Sequence, residues 1–204
     1  MSILRPLTGL NELKDAWLAA WPEALALWSR FVQLHEPIWC FTPEGEKREQ
    51  LTGSFAMIRL VDHSIVISLR QVEERRLERF AREVLAHEIG HHVYCPADLT
   101  DNARLLARIR RGLPTKEHFA GSISNLYSDL LINDRLQRSA SLDIAGVYLQ
   151  LSSQDPTPLW TLYLRIYELL WKMPRGQLAQ GKCDAALDQD AQLGARLIRS
   201  YAKD

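Results

Sequence analysis

The chain has 204 residues, of which 47% are apolar, so it is long enough to bury a core as one large domain or two small lobes. Its 25 basic and 25 acidic residues balance, which excludes a chain-wide field that would draw it to nucleic acid or to an anionic membrane. No apolar run approaches the roughly 18 residues of a membrane span, and the start of the chain lacks the continuous apolar core of a signal peptide.

The three cysteines are odd in number and far apart in the sequence: Cys40, Cys95 and Cys183. This spacing favours neither a disulfide framework nor a cysteine zinc knuckle. A reducing compartment fits such a chain best, so we expect a soluble cytoplasmic protein.

In chain order, apolar residues at helical spacing predict a helix over residues 11–34. Pro22 is expected to kink or break it, so that one helix and two helices both remain open. The tryptophans of this segment are expected to lie in the core. Prolines and Gly45 then predict turns and loops around the apolar residues 38–41, a candidate strand.

Two β-rich runs, residues 55–60 and 64–69, predict a hairpin, in which His63 is expected at the surface of the turn. Residues 73–94 follow as one long predicted helix, which Pro96 ends. A small sheet is therefore expected to precede this helix.

Near its C-terminal end, the long helix contains His87-Glu88-Ile89-Gly90-His91. Residues four apart share one face of a helix, so the two histidines can bind one ion, and Glu88 lies beside it. Two neutral nitrogens, a position for water and a carboxylate that accepts the proton of that water make a hydrolytic zinc site. The same helix has an apolar stripe, as expected for a buried helix: Leu77, Phe80, Val84, Leu85 and Ile89.

A helix is next predicted from Thr100 or Asp101 to Arg111. Its basic residues are interpreted as a solvated face rather than a phosphate site: Arg104, Arg108, Arg110 and Arg111. Residues 115–138, 159–171 and 184–201 are the last predicted helices.

A third metal ligand is expected from a separate element. The helix over residues 115–138 carries a polar stripe at helical spacing: His118, Ser122, Asn125, Asp129 and Asn133. We expect Asp129 to be the ligand, with Asn133 and Asn125 supporting a ligand histidine by hydrogen bonds. Asp134 is the next candidate. A solvated face or a hydrogen-bonded seam between helices is the alternative interpretation of the stripe.

His92 is a poor co-ligand, because it points roughly 140° away from His87 around the helix. It is expected to pack or to meet solvent.

The motif His87-Glu88-Ile89-Gly90-His91, on a helix after a small sheet, resembles the zincin-like metallopeptidases over roughly residues 55–138. In the glutamate-ligand branch of that superfamily, a downstream helix provides Glu-x-x-x-Asp, whose Glu binds zinc and whose Asp supports a ligand histidine. The nearest equivalent here is Asp129-Leu130-Leu131-Ile132-Asn133, which is shorter or weaker at both positions.

The resemblance implies an α+β, mostly helical fold, with a small sheet followed by the active-site helix and a C-terminal helical part. Residues 1–97 would form an N-terminal lobe with the sheet and the motif helix. Residues 98–204 would form a helical lobe that supplies the third ligand, within one compact catalytic domain.

The Asp-x-x-x-Asn pattern also resembles predicted bacterial metallopeptidase domains that accompany MoxR-type ATPases and von Willebrand A-type domains. This second resemblance implies a role in a multi-component bacterial system, with an ATPase or a von Willebrand A-type partner.

The expected function is a zinc-dependent metallopeptidase that acts on a protein or peptide, with Zn²⁺ held by His87, His91 and Asp129. Glu88 would be the general base, and an edge strand of the sheet, residues 55–60 or 64–69, would bind extended substrate. Tyr127, His118 and Tyr148 are candidates to stabilise the oxyanion. Fe²⁺ and Mn²⁺ also suit such ligands.

Two alternatives remain from the sequence. One is a non-catalytic zincin-like module that binds a partner and keeps the metal for structure. The other is a regulator linked to DNA, in which the arginines of residues 104–111 contact phosphates and a bound repressor is cleaved. No membrane partner is expected, and nucleic acid is not indicated by the balanced charge.

Overall fold

The computed structural model describes residues 9–151 and 156–201; the apolar start of the chain, residues 1–8, lies outside them. The chain divides into two compact units, Met1–Leu99 and Thr100–Asp204. The described part is mostly helical with one three-stranded sheet, which confirms the α+β, mostly helical prediction. Every helix in the described ranges is too short or too polar to cross a bilayer.

In its described part, residues 9–99, the first unit combines four α-helices with the sheet. Its elements are α1 (Leu10–Ala26), β1 (Ile38–Cys40), α2 (Pro43–Arg48), β2 (Ala56–Arg59), β3 (Ser64–Ser68), α3 (Leu69–Glu74) and α4 (Ala81–Val93). Helix α4 contains the histidine motif and packs against α1 and β2.

The predicted helix over residues 11–34 ends earlier, at Ala26, and stays one helix although Pro22 lies inside it. Beyond it, Trp28 is half-buried and its indole N–H donates to the carbonyl oxygen of Ala86 in α4, at 2.7 Å. Trp17 and Trp21 are buried within α1, as predicted for core tryptophans. Helix α1 therefore ends two residues before Trp28, whose side chain binds the backbone of the motif helix.

Strand β3 is the centre of the sheet. It pairs in parallel with β1 and antiparallel with β2, so the predicted strand at residues 38–41 and the predicted hairpin are both confirmed. Its central residues are buried, as a continuous apolar run predicts. Because both sides of β3 are paired, the prediction that residues 64–69 could bind substrate as a free edge strand is wrong. Within the described residues, β2 pairs on one side only.

The single helix predicted over residues 73–94 is wrong. Helix α3 ends at Glu74, and a 3₁₀ turn, Glu78–Phe80, leads into α4. Arg76 has a φ of 56°, a left-handed conformation that no helix interior contains, and the N–H of Leu77 donates to the carbonyl oxygen of Val72 at 2.9 Å. This six-residue closure is a Schellman motif, which usually has glycine at the left-handed position.

Helix α2 lies where only turns and loops were predicted. Thr42 caps it by accepting a hydrogen bond from the N–H of Gly45, and Pro43 occupies the first helical position, where a missing N–H costs nothing. Its buried Glu46 accepts hydrogen bonds from Ser68 at 2.6 Å and from the Arg70 side chain at 3.0 Å. This carboxylate joins α2 to the end of β3 and the start of α3.

Beside α2, Cys40 of β1 packs in a small core cluster with Leu51 and with Val66 of β3. Burial raises the pKa of this thiol, and the nearby carboxylates of Glu49 and Glu46 raise it further. Cys40 is therefore a core side chain rather than a reactive thiolate.

The second unit is helical in its described part. Its elements are α5 (Leu99–Gly112), a 3₁₀ turn (Glu117–Phe119), α6 (Ala120–Ser139), α7 (Ile144–Gln150), α8 (Pro158–Leu170) and α9 (Ala185–Tyr201). The helices predicted here are all present, within a few residues at their ends. Helix α7 was not predicted, although Asp143 caps it by accepting from the N–H of Gly146.

A buried carboxylate organises the core beside α8. Glu168 is fully buried, and its Oε1 accepts hydrogen bonds from the backbone N–H groups of Leu178 at 2.8 Å and Ala179 at 2.9 Å. Its Oε2 accepts from Arg165 at 2.9 Å, and Arg165 also pairs with Asp188 of α9 at 2.7 Å. The carboxylate thus ties the segment after α8 back onto that helix.

Candidate metal centre

Helix α4 is held by hydrogen bonds from two tryptophans, one within α1 and one just beyond its C-terminal end. The indole N–H of Trp17 donates to the carbonyl oxygen of Glu78 at 3.1 Å, in the turn before α4, and Trp28 donates to Ala86. The carbonyl oxygen of Ala86 lies directly before His87. These two hydrogen bonds fix the position of the motif helix along its axis and its rotation about that axis.

The two motif histidines lie on successive turns of α4. Their ring centroids are 4.9 Å apart and the ring planes are perpendicular. His91 is buried and His87 is half-buried, while Glu88, between them in the sequence, is only 6% exposed. The helix therefore brings together two imidazoles and a shielded carboxylate, as the motif predicts.

The protonation of His91 follows from a backbone contact. Its Nδ1 lies 3.1 Å from the carbonyl oxygen of Cys95. A carbonyl oxygen only accepts hydrogen bonds, so Nδ1 carries the proton and Nε2 keeps the lone pair that can bind a metal. Sequence reasoning expected asparagines in this supporting role and missed the carbonyl, because it belongs to the turn that ends α4.

His92 faces another histidine. Its ring centroid lies 4.1 Å from that of His63, which is in the turn between β2 and β3. His63 therefore lies in the turn as predicted, but it is half-buried rather than a surface residue. Burial and then His63 lower the pKa of His92, against the opposing effect of a hydrogen bond with the Ala97 backbone. His92 packs, as expected of a poor co-ligand.

In the second unit, the predicted ligand Asp129 lies in the middle of α6. It is 9% exposed, and its Oδ2 accepts a hydrogen bond from Nδ2 of Asn125 at 3.1 Å. Asn125, which was expected to support a histidine, orients this carboxylate through that hydrogen bond.

The predicted polar stripe is buried only in its C-terminal half. His118 lies in the 3₁₀ turn before α6 and is exposed; its ring contacts that of Phe119, with 4.1 Å between centroids and the planes tilted by 42°. Ser122 is also exposed, and Tyr127, off the stripe, is half-buried. Asn133 is 2% exposed. The stripe is therefore solvated at one end and part of the core at the other.

The reserve candidate Asp134 already has a strong partner. It is fully buried, and the guanidinium of Arg138, one turn later, binds both of its carboxylate oxygens. This ion pair accounts for its burial without a metal.

Asn133 belongs to a buried cluster with three tyrosines, which sequence reasoning missed. Its Nδ2 donates to the hydroxyls of Tyr148 at 3.0 Å and Tyr167 at 2.8 Å. The Tyr163 hydroxyl lies 2.6 Å from that of Tyr148 and 2.7 Å from that of Tyr167. The Tyr167 hydroxyl in turn donates to the carbonyl oxygen of Asp129 at 3.0 Å. We call Tyr148, Tyr163 and Tyr167 the tyrosine cluster.

The arginine-rich helix α5 has no buried residue. Arg104 pairs with Asp101 at 2.9 Å across one turn at the surface. This agrees with the expected solvated face and adds no chemistry to the site.

Comparisons of the chain with protein-family models, with curated proteins and with solved structures find no match.

Proposed function

We propose that the protein is a zinc-dependent metallopeptidase, in which His87, His91 and Asp129 bind the metal and Glu88 is the general base. The observation that carries the proposal is the pair of histidines on successive turns of α4, with His91 held in one tautomer by a backbone carbonyl. Such a hydrogen bond to the outer nitrogen of a ligand histidine fixes its orientation and raises its basicity.

The donor set fits zinc. Two imidazole nitrogens and one carboxylate oxygen are the usual protein ligands of a catalytic zinc, which keeps a fourth position for water. The residues that the sequence predicts as ligands, His87, His91 and Asp129, would supply this set. Since Oδ2 of Asp129 accepts from Asn125, we assign its Oδ1 to the metal. Zinc is preferred to Fe²⁺ or Mn²⁺ because Glu88 has a direct hydrolytic role.

Zinc, when bound, supplies a water of lowered pKa and polarises the carbonyl of the peptide bond. Glu88 accepts the proton of that water as the oxygen attacks the carbonyl carbon. As the C–N bond breaks, Glu88 delivers the proton to the leaving amine. Because Glu88 is only 6% exposed, its carboxylate is largely shielded from bulk water during the transfer.

The substrate would bind as an extended strand beside β2. Among the described residues, this strand pairs only with β3, so the backbone groups on its other side can pair with a peptide. The proposal thus includes a zincin-like arrangement of sheet and helix. The proposal also includes a cytoplasmic location. The three cysteines agree with this location, because all of them lie in described parts of the chain and are free thiols.

An ATPase or von Willebrand A-type partner remains part of the proposal.

The test is the metal content of the purified protein by mass spectrometry, beside cleavage of a peptide library. We expect about one zinc per chain in the wild type, in Glu88→Gln and in the surface control His35→Ala, and none in His91→Ala or Asp129→Ala. Peptide cleavage should be lost in Glu88→Gln although its zinc is retained.

Each other outcome has a definite meaning. Zinc retained in Asp129→Ala would move the third ligand elsewhere. Zinc present in the wild type without any cleavage, together with unchanged biological activity of Glu88→Gln, would support the non-catalytic module. No zinc in any sample, even after zinc is supplied, would refute the hydrolase.

A further inference from the structure

The ring of His92 has a buried nitrogen, Nδ1, without a hydrogen-bond partner among the described residues. Its hydrogen bond with the Ala97 backbone uses the carbonyl oxygen, because the N–H of Ala97 donates to the carbonyl oxygen of His91 at 2.8 Å. A carbonyl oxygen only accepts, so the His92 ring is the donor of this bond. Nε2 therefore carries the proton, and the buried Nδ1 keeps a lone pair.

His63 brings a second nitrogen of this kind next to the first. It lies in the turn between β2 and β3, and its ring centroid is 4.1 Å from that of His92, with the planes tilted by 41°. Nε2 of His63 is also buried and has no partner in the described part of the chain. A neutral imidazole can carry its proton on Nδ1, which leaves the lone pair on Nε2.

Two energetic costs fall on His63. A buried polar atom without a partner destabilises the folded state. His63 also has a φ of 56°, a left-handed conformation that is unfavourable for a residue with a β-carbon. Strained backbone and unpaired buried polar atoms are concentrated at functional sites, where a ligand compensates for their cost.

The separation of the two rings suits one metal ion. Bonds from zinc to an imidazole nitrogen are about 2.0–2.1 Å long, so one ion can join two nitrogens that are up to about 4 Å apart. The ring centroids of His63 and His92 are 4.1 Å apart. A cation can accept two lone pairs at once, and imidazole is a good ligand for zinc, copper and nickel ions.

We propose that His63 and His92 form a second metal site, which binds a divalent transition-metal ion, Zn²⁺ or Cu²⁺, between the β2–β3 turn and helix α4. Both ligands belong to the first unit, so this site does not depend on the proposed metallopeptidase centre. Water would complete the coordination of the ion, which joins the turn to the helix one residue after His91.

This site should bind more weakly than one with three protein ligands. It therefore releases its ion during purification, and the expected content of about one zinc per purified chain is unchanged. At a higher free metal concentration, the bound ion should stabilise the folded protein, because it binds both ligands together only in that state.

The test is isothermal titration of Zn²⁺ and of Cu²⁺ into His87→Ala, in which the proposed metallopeptidase centre lacks a ligand. We expect one equivalent to bind, with Cu²⁺ bound more tightly than Zn²⁺. Adding His63→Asn removes the imidazole but keeps a residue that tolerates the left-handed conformation. It should weaken binding at least about tenfold, because losing only the supporting partner of a ligand histidine already costs that much.

Pulsed electron paramagnetic resonance of the Cu²⁺ complex counts the bound imidazoles. We expect two in His87→Ala, and the loss of this two-imidazole signal when His63→Asn is added. His35→Ala, which removes an exposed histidine, is the matched control and should change neither the affinity nor the signal. His92→Gln is the second variant if His63→Asn does not fold, which a thermal melt of the metal-free protein shows.

Affinities that are unchanged in His63→Asn or in a folded His92→Gln would overturn the proposal. A Cu²⁺ complex with a single imidazole would overturn it as well, and would leave the two nitrogens to a buried water. Because every comparison is made in His87→Ala, the outcome is independent of whether the wild type is a metallopeptidase.

Discussion

Replacing Glu168 by glutamine separates the charge of a buried carboxylate from its hydrogen bonds. Glutamine keeps an oxygen that can accept from the N–H groups of Leu178 and Ala179, as Oε1 does in the wild type. Its amide NH₂, however, would face the guanidinium of Arg165, so the bond from Arg165 at 2.9 Å is lost. The substitution should therefore destabilise the protein through this one ion pair.

The expected loss follows from the contacts. A hydrogen bond to a charged group contributes about 1.5–3 kcal/mol to stability. Arg165 keeps its second partner, Asp188, at 2.7 Å, which limits the cost of leaving the guanidinium without Glu168. We expect Glu168→Gln to lower the free energy of unfolding by about 2 kcal/mol. Glu168→Ala also strands two buried N–H groups and should cost about 4 kcal/mol.

The measurement is urea unfolding followed by far-ultraviolet circular dichroism, with the slope against urea unchanged among the variants. Asp190→Asn, an exposed carboxylate on α9, is the matched control and should stay within about 0.5 kcal/mol of the wild type. A loss below about 0.5 kcal/mol in Glu168→Gln would refute the reasoning. So would equal losses in the glutamine and alanine variants, because the backbone bonds would then contribute nothing separately.

Two further predictions concern the first unit. Burial raises the pKa of Glu46, but hydrogen bonds from Arg70, Ser68 and Gln71 outweigh it and hold the pKa below its ordinary value of 4.5. A lowered pKa in the folded protein gives stability that is present above pH 4.5 and is lost as the pH falls through the folded pKa. In thermal melts from pH 6 to 3, Glu46→Gln should therefore lose less stability on acidification than the wild type. An equal loss in both proteins would contradict this prediction. Arg76 is exposed in a left-handed conformation, so Arg76→Gly should raise the free energy of unfolding by about 0.5–1 kcal/mol in urea, whereas a loss would show that its side chain stabilises the turn.

The histidine motif was the most predictable part of the candidate site, because its information is local. Four residues of helix place His87 and His91 on one face whatever surrounds them. The support of His91 by Cys95 was not predictable, since it depends on how the chain turns after the helix. A residue pattern can predict which side chains of a helix could bind a metal. It cannot predict the backbone carbonyl that orients one of them.

The ends of α2 and α3 were missed for a single physical reason. Glycine is the usual signal of a left-handed helix end, but Gln50 after α2 and Arg76 after α3 take that conformation instead. Without glycine, the sequence through Arg76 looked like one continuous helix. The start of α2 did have a signal, Thr42-Pro43, which the surrounding turn residues obscured.

The tyrosine cluster could not be found by spacing. Asn133, Tyr148 and Tyr167 lie on three different helices, so only the packing of α6, α7 and α8 makes them neighbours. On its own helix, each tyrosine looks like an ordinary core residue. The polar partners of Asn133 were therefore invisible until the fold was known.

The bond from His91 to Cys95 couples a proposed metal ligand to the fraying of a helix end. The N–H of Ala97 donates to the carbonyl oxygen of His91 at 2.8 Å, while the His91 ring donates to the carbonyl oxygen of Cys95. One residue thus closes the turn through both its backbone and its side chain. Any local opening of this turn would release the imidazole from its tautomer, so the free energy of that opening sets how much of the time His91 is ready to bind a metal. Metal affinity would then report on the last turn of α4 as well as on the ligands themselves.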